Sequence, residues 1–347
     1  MAKQSIVIGA ENWVGSTTYG MAQGFRKLGW EVYELSPSAF MPIIDSRALR
    51  ALLRLWMPVV VERYNRALID AVKSRSPAAF LTVKGAYIFP STLKIITDNG
   101  IPCVNYYPDV VFSHKSVNQS SLLNYSLFVT TKSFQVAYLA QRLGDNRVKF
   151  LHHGYVEDVF KPPLTVGRRD YHYDLIYIGN HSVDKERWLK RISDKFPGIS
   201  MMIYGYRWKE NVTTGSLSSR IAGRAVSGDE LLNAVYGAKI NLAIHWGALD
   251  DTGWYDRVST RTFEIPACKG FMLHIDNDEV RELFDPENEI GVFKDESELF
   301  QKIDFYLAND KLREEMVEKA YQRCVPAYSY DERAKVIAGW LEEMRVS

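Results

Sequence analysis

The residues best suited to chemistry lie in one short stretch, DRVSTRTFEIPACKGFMLHID, residues 256 to 276. Asp256 and Glu264 are eight positions apart, and Arg261 lies between them. Carboxylates accept hydrogen bonds from hydroxyl groups, whereas a guanidinium binds phosphate oxygens through paired N–H groups. This combination suits a ligand that carries both hydroxyls and phosphates.

A helix is predicted to begin inside this stretch, with either Ser259 or Thr260 as its N-cap. The first turn of a helix has free backbone N–H groups and the positive end of the dipole, so it can hold a phosphate. Arg261 in that turn is unfavourable for the dipole unless an anion lies nearby. Glu264, about one turn further on, is placed to bind a ribose. A plain helix-to-strand joint, with Arg261 paired to Glu264 or Asp256, explains the same residues equally well.

Strand and helix signals alternate along most of the 347 residues, which predicts parallel sheets with right-handed crossovers. Residues 45–75 are predicted to form a long helix that is broken or kinked at Pro58. The predicted strands are SIVIGA, EVYEL, AAFLTV, PCVNYY, SLFVTT and VKFLHHG in the first part and YDLIYIGN, SMMIYGYRW, KINLAIHW, FMLHI and EIGVF in the second.

The chain length favours two domains. The stretch FKPPLTVGRRDYHY, residues 160–173, has two prolines and a glycine and is predicted to link them. We predict Rossmann-like domains at residues 1–165 and 166–330, and a C-terminal helix at 331–347 that packs back towards the first domain. Open α/β sheets bind ligands at the carboxyl ends of their strands, so a cleft between two facing domains is the expected site.

Composition excludes several classes of protein. The formal net charge is +1, which provides no general attraction to nucleic acid. The three cysteines are far apart, so buried free thiols are expected rather than a disulfide framework or a zinc site. No apolar run is long enough for a transmembrane helix, and no signal peptide is apparent, so we expect a cytoplasmic protein.

Two nucleotide-binding motifs are absent. The loop after the first strand reads GAENWVGST, which is not the Gly-x-Gly-x-x-Gly fingerprint of a dehydrogenase, and no Walker A motif occurs. Gly15 and Ser16 in this loop are nevertheless predicted to contact substrate. Asp109 follows the strand PCVNYY and is the first candidate for a general base, although a turn or helix cap is an equally good explanation. His114 and His153 are weaker candidates.

The run TRTFEIPACKGFMLHIDNDEV resembles the nucleotide-binding segment of GT-B glycosyltransferases, and in particular the group named after the spore maturation protein CgeB. The segments FLHHGYVEDVFKPP, YDLIYIGN and IYGYRW are similar to others of that group. The resemblance covers about residues 80–345 and is strongest from 174 to 335. It implies the GT-B fold, with donor binding in the C-terminal domain and acceptor binding in the N-terminal domain.

The resemblance also implies roles for single residues. Glu264 would contact the donor ribose, and Arg261 would hold the pyrophosphate together with the helix N-terminus at Ser259 and Thr260. His245, at the end of the strand KINLAIH, is expected to face the same cleft and touch the sugar. The further substrate contacts are Gly179 and Asn180 at the phosphates, Gly205 and Trp208 at the base pocket, and Tyr204.

The implied reaction moves a sugar from a nucleotide-diphosphate sugar, UDP- or GDP-linked, to an acceptor hydroxyl, without a cofactor or a metal. A hexosyltransferase is expected. Many retaining GT-B enzymes have two glutamates at the spacing of Asp256 and Glu264. Retention is therefore favoured over inversion, although the aspartate departs from the pattern. The adjacent acids Asp250 and Asp251 are better explained as a loop or cap than as a metal site.

The acceptor is not identified by the sequence and is expected to be a glycan, a lipid-linked group or a protein. Residues 45–66 carry arginines on one face of the predicted helix, which suits peripheral membrane contact or a phosphate-bearing acceptor, although a surface helix is the better explanation. Two alternative functions stay open: a GT-B-fold nucleotide-sugar epimerase, and a nucleotide-sugar-binding protein without activity. The arginines are Arg47, Arg50, Arg54, Arg63 and Arg66.

Overall fold

The computed structural model describes residues 4–41, 47–164, 169–245 and 253–346, without the side chains of residues 47–55 and 346. The chain divides into two compact units. Unit 1 consists of Met1–His153 and Tyr330–Ser347, and unit 2 consists of Gly154–Ser329. The predicted linker, residues 160–173, belongs to unit 2, and its residues 165–168 lie outside the described part.

Unit 1 is built on a six-stranded parallel sheet in the order β2-β1-β3-β4-β5-β6. Its central strands are apolar and buried on both faces, as expected for parallel strands covered by helices. The strands are β1 (Ser5–Gly9), β2 (Glu31–Leu35), β3 (Ala79–Val83), β4 (Cys103–Tyr107), β5 (Leu127–Thr130) and β6 (Val148–Phe150). The first helices are α1 (Thr17–Lys27), α2 (Arg47–Arg75), α3 (Pro90–Asp98) and α4 (Val136–Leu143).

The predicted break at Pro58 is absent, because α2 continues through that residue, and the alternative of a kink there stays a prediction. A proline inside a helix removes one backbone hydrogen bond. Here a buried row at four-residue spacing anchors the helix beyond the proline and offsets that loss. The row consists of Val60, Tyr64, Leu68 and Val72. None of the helices in the described residues is long and apolar enough to cross a membrane.

Unit 2 has a five-stranded parallel sheet in the order β11-β10-β9-β7-β8. The strands are β7 (Tyr173–Ile178), β8 (Met201–Tyr204), β9 (Ala238–Ala243), β10 (Met272–Ile275) and β11 (Gly291–Phe293). The helices are α5 (Val183–Lys195), α6 (Trp208–Asn211), α7 (Gly228–Tyr236), α8 (Thr260–Ala267), α9 (Asp278–Leu283), α10 (Glu296–Ala308) and α11 (Asp310–Cys324).

The last helix, α12 (Tyr330–Val346), belongs to unit 1 and packs along α1. Two glycines allow the close approach. A Cβ on Gly20 would lie 2.5 Å from the Tyr330 ring, and a Cβ on Gly24 would lie 2.7 Å from the Cβ of Ala334. The Tyr330 hydroxyl also shares a 2.8 Å hydrogen bond with the Thr17 hydroxyl.

The two sheets have the same strand topology. In unit 1 the chain adds β2 on one side of β1 and β3 on the other, and in unit 2 it adds β8 on one side of β7 and β9 on the other. Each sheet therefore has a switch point, between β1 and β3 and between β7 and β9. Ligands of open α/β sheets bind outside the carboxyl ends of the strands at such points.

Candidate functional site

A pocket of about 200 Å³ lies at the switch point of unit 2 and is called the unit-2 pocket. The ends of β7 and β9 supply part of its wall, and the first turn of α8 supplies another part. The predicted site residues that line it are Gly179, His245, Asp256, Ser259, Thr260 and Arg261. Side chains that are far apart in sequence are therefore brought together at one sheet edge.

Arg261 is fixed by two partners. Its Nε donates to the carbonyl oxygen of Ile178 at the end of β7, at 3.2 Å, and its NH1 group pairs with Glu264. Glu264 is 6 % exposed and does not line the pocket. Burial raises the pKa of Glu264, while Arg261 and the Thr260 hydroxyl act against that rise. The geometry makes Glu264 the support of Arg261, and its contact with a ribose stays a prediction.

The N-terminus of α8 is formed by a side-chain cap. Ser259 is the N-cap residue, and its backbone N–H donates to Oγ1 of Thr262 at 3.2 Å. The helix has no acidic residue in its first turn, so its own side chains do not neutralise the positive end of the dipole. The end of the helix that faces the pocket is thus suited to an anion.

Lys185 on α5 adds a second cation to this pocket. Burial lowers the pKa of Lys185, and the carboxylate of Asp256 acts in the opposite direction. The charged side chains among the described lining residues are therefore Lys185, Arg261 and Asp256. A ligand with two negative charges would offset the desolvation of both cations.

A pair of histidines connects β9 to β10. The Nε2 atoms of His245 and His274 are 2.8 Å apart, and Nδ1 of His274 lies 2.6 Å from the carbonyl oxygen of Ile275. Burial lowers the pKa of His274 to about 4, so the ring is neutral and its Nδ1 carries the proton. His274 Nε2 is then an acceptor, and both the Thr262 hydroxyl, at 3.1 Å, and Nε2 of His245 lie within hydrogen-bond distance of it.

The predicted base-pocket residues lie beside the unit-2 pocket and do not line it. Trp208 is completely buried and donates from Nε1 to the carbonyl oxygen of Gly179 at 2.7 Å. Gly205 has φ +147°, and a Cβ there would lie 2.1 Å from the same carbonyl oxygen. Asn180 accepts from the backbone N–H of Tyr206 at 3.1 Å, and the Tyr204 hydroxyl pairs with that of Tyr173 at 3.1 Å.

These contacts give the β7–β8 edge a defined shape, because the loop after β8 rests directly on the loop after β7. Gly179 itself is needed for packing, since a Cβ there would lie 2.5 Å from the Tyr177 hydroxyl. The close approach to phosphate that the resemblance implies for Gly179 and Asn180 stays a prediction.

A second pocket, of about 400 Å³, lies at the switch point of unit 1 and is called the unit-1 pocket. It is lined by residues that follow β1, β3 and β4 and by the first turn of α1. Ser16 and Asp109 are among them. Ser16 is the N-cap of α1 and accepts from the backbone N–H of Tyr19 at 3.0 Å. Gly15 precedes it with φ +89°, a conformation that favours glycine.

Asp109 is held in place from two sides. Its Oδ2 lies 2.5 Å from Nζ of Lys84, and its backbone carbonyl accepts from Nε2 of the buried Gln135 at 3.0 Å. The same Gln135 amide donates to the carbonyl of Val110 at 2.7 Å. His114, which also lines the pocket, has a lowered pKa because it is desolvated and lies near Lys84.

His153, the other weaker base candidate, is buried within unit 1. Its Nε2 lies 3.0 Å from Nζ of Lys132 and 3.1 Å from the Thr131 hydroxyl, and Arg333 of α12 donates to its carbonyl oxygen. Burial, Lys132 and His152 all lower the pKa of His153 well below its ordinary value. These contacts give it a structural role, and it does not line the unit-1 pocket.

Two predictions fall outside the described residues: the loop containing Asp250 and Asp251, and the side chains of Arg47, Arg50 and Arg54. In the part of the chain that is described, no group of three or more His, Cys, Asp or Glu residues could hold a metal ion. The cysteines Cys103, Cys268 and Cys324 are buried free thiols, as expected.

Residues that line the pockets and that the sequence did not single out include Lys185 in unit 2 and Glu11 and Trp13 in unit 1. The signal for Glu11 and Trp13 was their position directly after the first strand, where ligands of parallel sheets bind. No sequence signal separates Lys185 from the other charged residues of α5.

Residues 181–339 match a family model described as glycosyl transferase-like. The matched segment includes Lys185 and the whole stretch from Asp256 to Asp276. No curated protein matches the chain.

Several solved structures are similar over nearly the whole chain. Sucrose-phosphate synthase from Thermosynechococcus elongatus is 11% identical, with a TM-score of 0.66 and coverage of 99% of this chain and 100% of that one. A glycosyltransferase from Rickettsia africae is 13% identical, with a TM-score of 0.66 and 99% coverage of both. HepE from Anabaena, in complex with UDP and glucose, is 10% identical, with a TM-score of 0.64 and coverage of 98% and 100%. The predicted GT-B fold is confirmed.

Proposed function

We propose that this protein is a metal-independent glycosyltransferase that moves a hexose from a nucleotide-diphosphate sugar to an acceptor hydroxyl. The observation that carries the proposal is the unit-2 pocket. It places Arg261, Lys185 and the N-terminus of α8 together at the switch point of a parallel sheet. The family match over residues 181–339 supports the same activity.

Departure of the diphosphate is the step that this pocket would assist. When the bond between the anomeric carbon and the diphosphate oxygen breaks, negative charge develops on the diphosphate. Arg261 is already oriented by Glu264 and Ile178, so it needs little reorganisation to stabilise that charge. Lys185 and the backbone N–H groups of α8 act on the same charge. This set of donors makes a metal ion unnecessary for the step.

Asp256 and His245 are proposed to contact the donor sugar, because both line the pocket beside the cations. The spacing of Asp256 and Glu264, which is that of the two glutamates in many retaining GT-B enzymes, favours retention of configuration. Asp109 in the unit-1 pocket is the proposed acceptor-side base. It would take the proton of the acceptor hydroxyl as the new bond to the anomeric carbon forms. No cofactor takes part in this scheme.

A UDP-linked donor is the first choice, and a GDP-linked donor is the second. The neighbour HepE was crystallised with UDP and UDP-glucose, which supports UDP for a chain of the same fold. Thermal unfolding with UDP, GDP, CDP and dTDP tests the base, since a ligand that binds only the folded state raises the melting temperature. We expect UDP to give the largest increase.

Turnover is tested by incubating the protein with labelled nucleotide sugars and measuring the released nucleotide. Slow hydrolysis of one donor without a metal is the expected result. Binding without turnover would favour the inactive binding protein instead, and reversible change of the sugar would favour the epimerase. Failure of every nucleotide to raise the melting temperature would contradict all three functions.

A further inference from the structure

We propose that the unit-1 pocket binds an uncharged sugar as the acceptor, with its ring against Trp13 and its hydroxyls on Glu11 and Asp109. This inference rests on the proposed function and names the chemical class of the acceptor. The cavity of about 400 Å³ lies within the usual range for small-molecule sites, about 300–1,000 Å³. Its position at the carboxyl ends of β1, β3 and β4 is where such a sheet binds ligands.

Trp13 provides the apolar wall of this pocket. Its side chain lines the cavity and is 65% exposed, although a large indole is normally mostly buried. The face of an indole carries negative charge density, so the polarised C–H groups of a sugar ring can pack on it. Tyr87 lines the same cavity. An exposed aromatic face beside carboxylates that accept hydrogen bonds from hydroxyls is suited to a sugar ring, which has one apolar and one polar side.

The charges of the pocket point to an uncharged ligand. Among the described lining residues, Glu11 and Asp109 are acidic, and Lys84 is the only lysine or arginine. Lys84 lies 2.5 Å from Asp109 and offsets that carboxylate, so the charge of Glu11 remains. The lowered pKa of His114 keeps its ring neutral at neutral pH. The first turn of α1 also lines the pocket and adds the partial positive charge of a helix N-terminus, about half a unit, which is less than the full charge of Glu11. A phosphate or carboxylate on the acceptor would therefore meet a net like charge, which disfavours binding.

Glu11 has room for hydroxyl donors. One of its oxygens, Oε2, accepts from the Ser36 hydroxyl at 2.7 Å. An ionised carboxylate offers about four lone-pair sites, so further donors can bind the same group. A sugar presents several hydroxyl donors at fixed spacing, which suits such an acceptor.

The loop after β3 has a strained backbone where it lines the pocket. Lys84, Gly85 and Tyr87 have φ values of +71°, +73° and +62°. Non-glycine residues in this region are disfavoured and persist where the surrounding structure fixes them, often in ligand sites. The strain therefore supports a binding role for the loop, whatever the charge of the ligand.

The test is direct binding of sugars to the full-length protein, measured by saturation-transfer NMR. Methyl glucoside and N-acetylglucosamine are the uncharged probes, and glucuronic acid and glucose 6-phosphate are the charged ones. We expect the uncharged sugars to bind and the anionic sugars to bind roughly tenfold more weakly or worse. Trp13→Ala should weaken the uncharged sugars by about tenfold or more.

Trp56→Ala is the matched control, because Trp56 is 63% exposed on α2 and does not line the pocket. It should leave sugar binding unchanged. Glu11→Gln keeps the shape of the side chain and removes its charge, so the difference in affinity between methyl glucoside and glucuronic acid should narrow. Equal or tighter binding of the anionic sugars by the native protein, or equal effects of the two tryptophan variants, would overturn the proposal.

Release of nucleotide from the donor is measured in parallel, so the two hypotheses fail separately. If donor turnover is observed but only anionic sugars accelerate it, the acceptor class is wrong and the glycosyltransferase stands. If uncharged sugars bind in a Trp13-dependent manner but no donor is consumed, the glycosyltransferase is wrong and the sugar site stands. If no sugar binds, the acceptor proposal is wrong.

Discussion

The two units use the same strand topology, and each has a pocket at the corresponding switch point, but the charges of the pockets are opposite. The unit-2 pocket has two basic residues and one acidic residue among its described lining residues, and the unit-1 pocket has one basic residue and two acidic residues. The shared topology places a pocket at each switch point, and the side chains that line each pocket give it its charge.

The largest effect is expected from Asp109→Asn, which removes the proposed base and leaves the volume of the unit-1 pocket unchanged. Loss of a general base lowers kcat by about 10²–10⁴-fold. The affinity for UDP, measured by calorimetry, should not change, because Asp109 belongs to the other unit. Asp98→Asn removes a comparable Lys–Asp pair on α3 and serves as the control. An equal loss of kcat in both variants would show that Asp109 does not act as the base.

The next largest effect is expected from Arg261→Ala, which removes a cation from the unit-2 pocket. Removing a fixed donor to developing charge lowers kcat by about 10²–10³-fold, and UDP affinity should fall as well. Arg323→Ala is the matched control, because Arg323 also pairs with a mostly buried glutamate, Glu289, but lies outside the pocket. Melting temperatures of both variants reveal any general loss of stability. Unchanged UDP affinity in Arg261→Ala would show that the pocket is not a diphosphate site.

Acid should destabilise unit 1 more than unit 2. Burial lowers the pKa of His152 in unit 1 and of His274 in unit 2 to about 4, and burial also lowers the pKa of His153 in unit 1 well below its ordinary value. Their unfolded pKa is higher, so the unfolded state binds more protons and stability falls as the pH falls from about 6.5 towards 4.

Between pH 7 and 5, each histidine with a pKa of about 4 should cost about 2 kcal/mol. Calorimetry at the two pH values should show that unit 1, which holds both His152 and His153, unfolds first in acid. His274→Asn should make the stability of unit 2 less dependent on pH. His172→Asn should not, because the His172 side chain is 62% exposed. Equal acid sensitivity of the two units would contradict this difference.

The smallest effect is expected from Lys185→Ala. Lys185 is a second, less constrained cation in the unit-2 pocket, and its removal should weaken UDP binding by about tenfold, the effect of one charge-assisted hydrogen bond. Lys190→Ala on the same helix removes a lysine that pairs with Asp194 and should have no effect. Unchanged UDP binding after loss of Lys185 would show that its charge does not act on a phosphate.

Much of the fold followed from the sequence. The predicted strands are all present, because buried parallel strands are short β-branched and apolar runs separated by helix-length segments. The start of α8 in this stretch was also predicted, with Ser259 or Thr260 as N-cap, and the structure has Ser259. The break expected at Pro58 is absent, because the burial of Tyr64 and Leu68 outweighs the tendency of proline to end a helix.

The site was less predictable than the fold. Residues within one turn, such as Arg261 and Glu264, were correctly considered as a pair, since helical spacing places them together. Burial lowers the pKa of Lys185, and the carboxylate of Asp256 opposes that change although the two residues are far apart in the sequence. No local sequence pattern predicts such an interaction. The exposure of Trp13 likewise depends on the packing of several loops. Contacts between distant segments require the folded structure.

Because α12 belongs to unit 1, the two units become complete at different times during synthesis. On the ribosome, all of Gly154–Ser329 emerges before Tyr330–Val346 does. Unit 2 can therefore fold while unit 1 still exposes the face of α1 around Gly20 and Gly24. Unit 1 is complete only once the last helix has been synthesised. During that interval the uncovered face of α1 is the surface that a chaperone would need to protect.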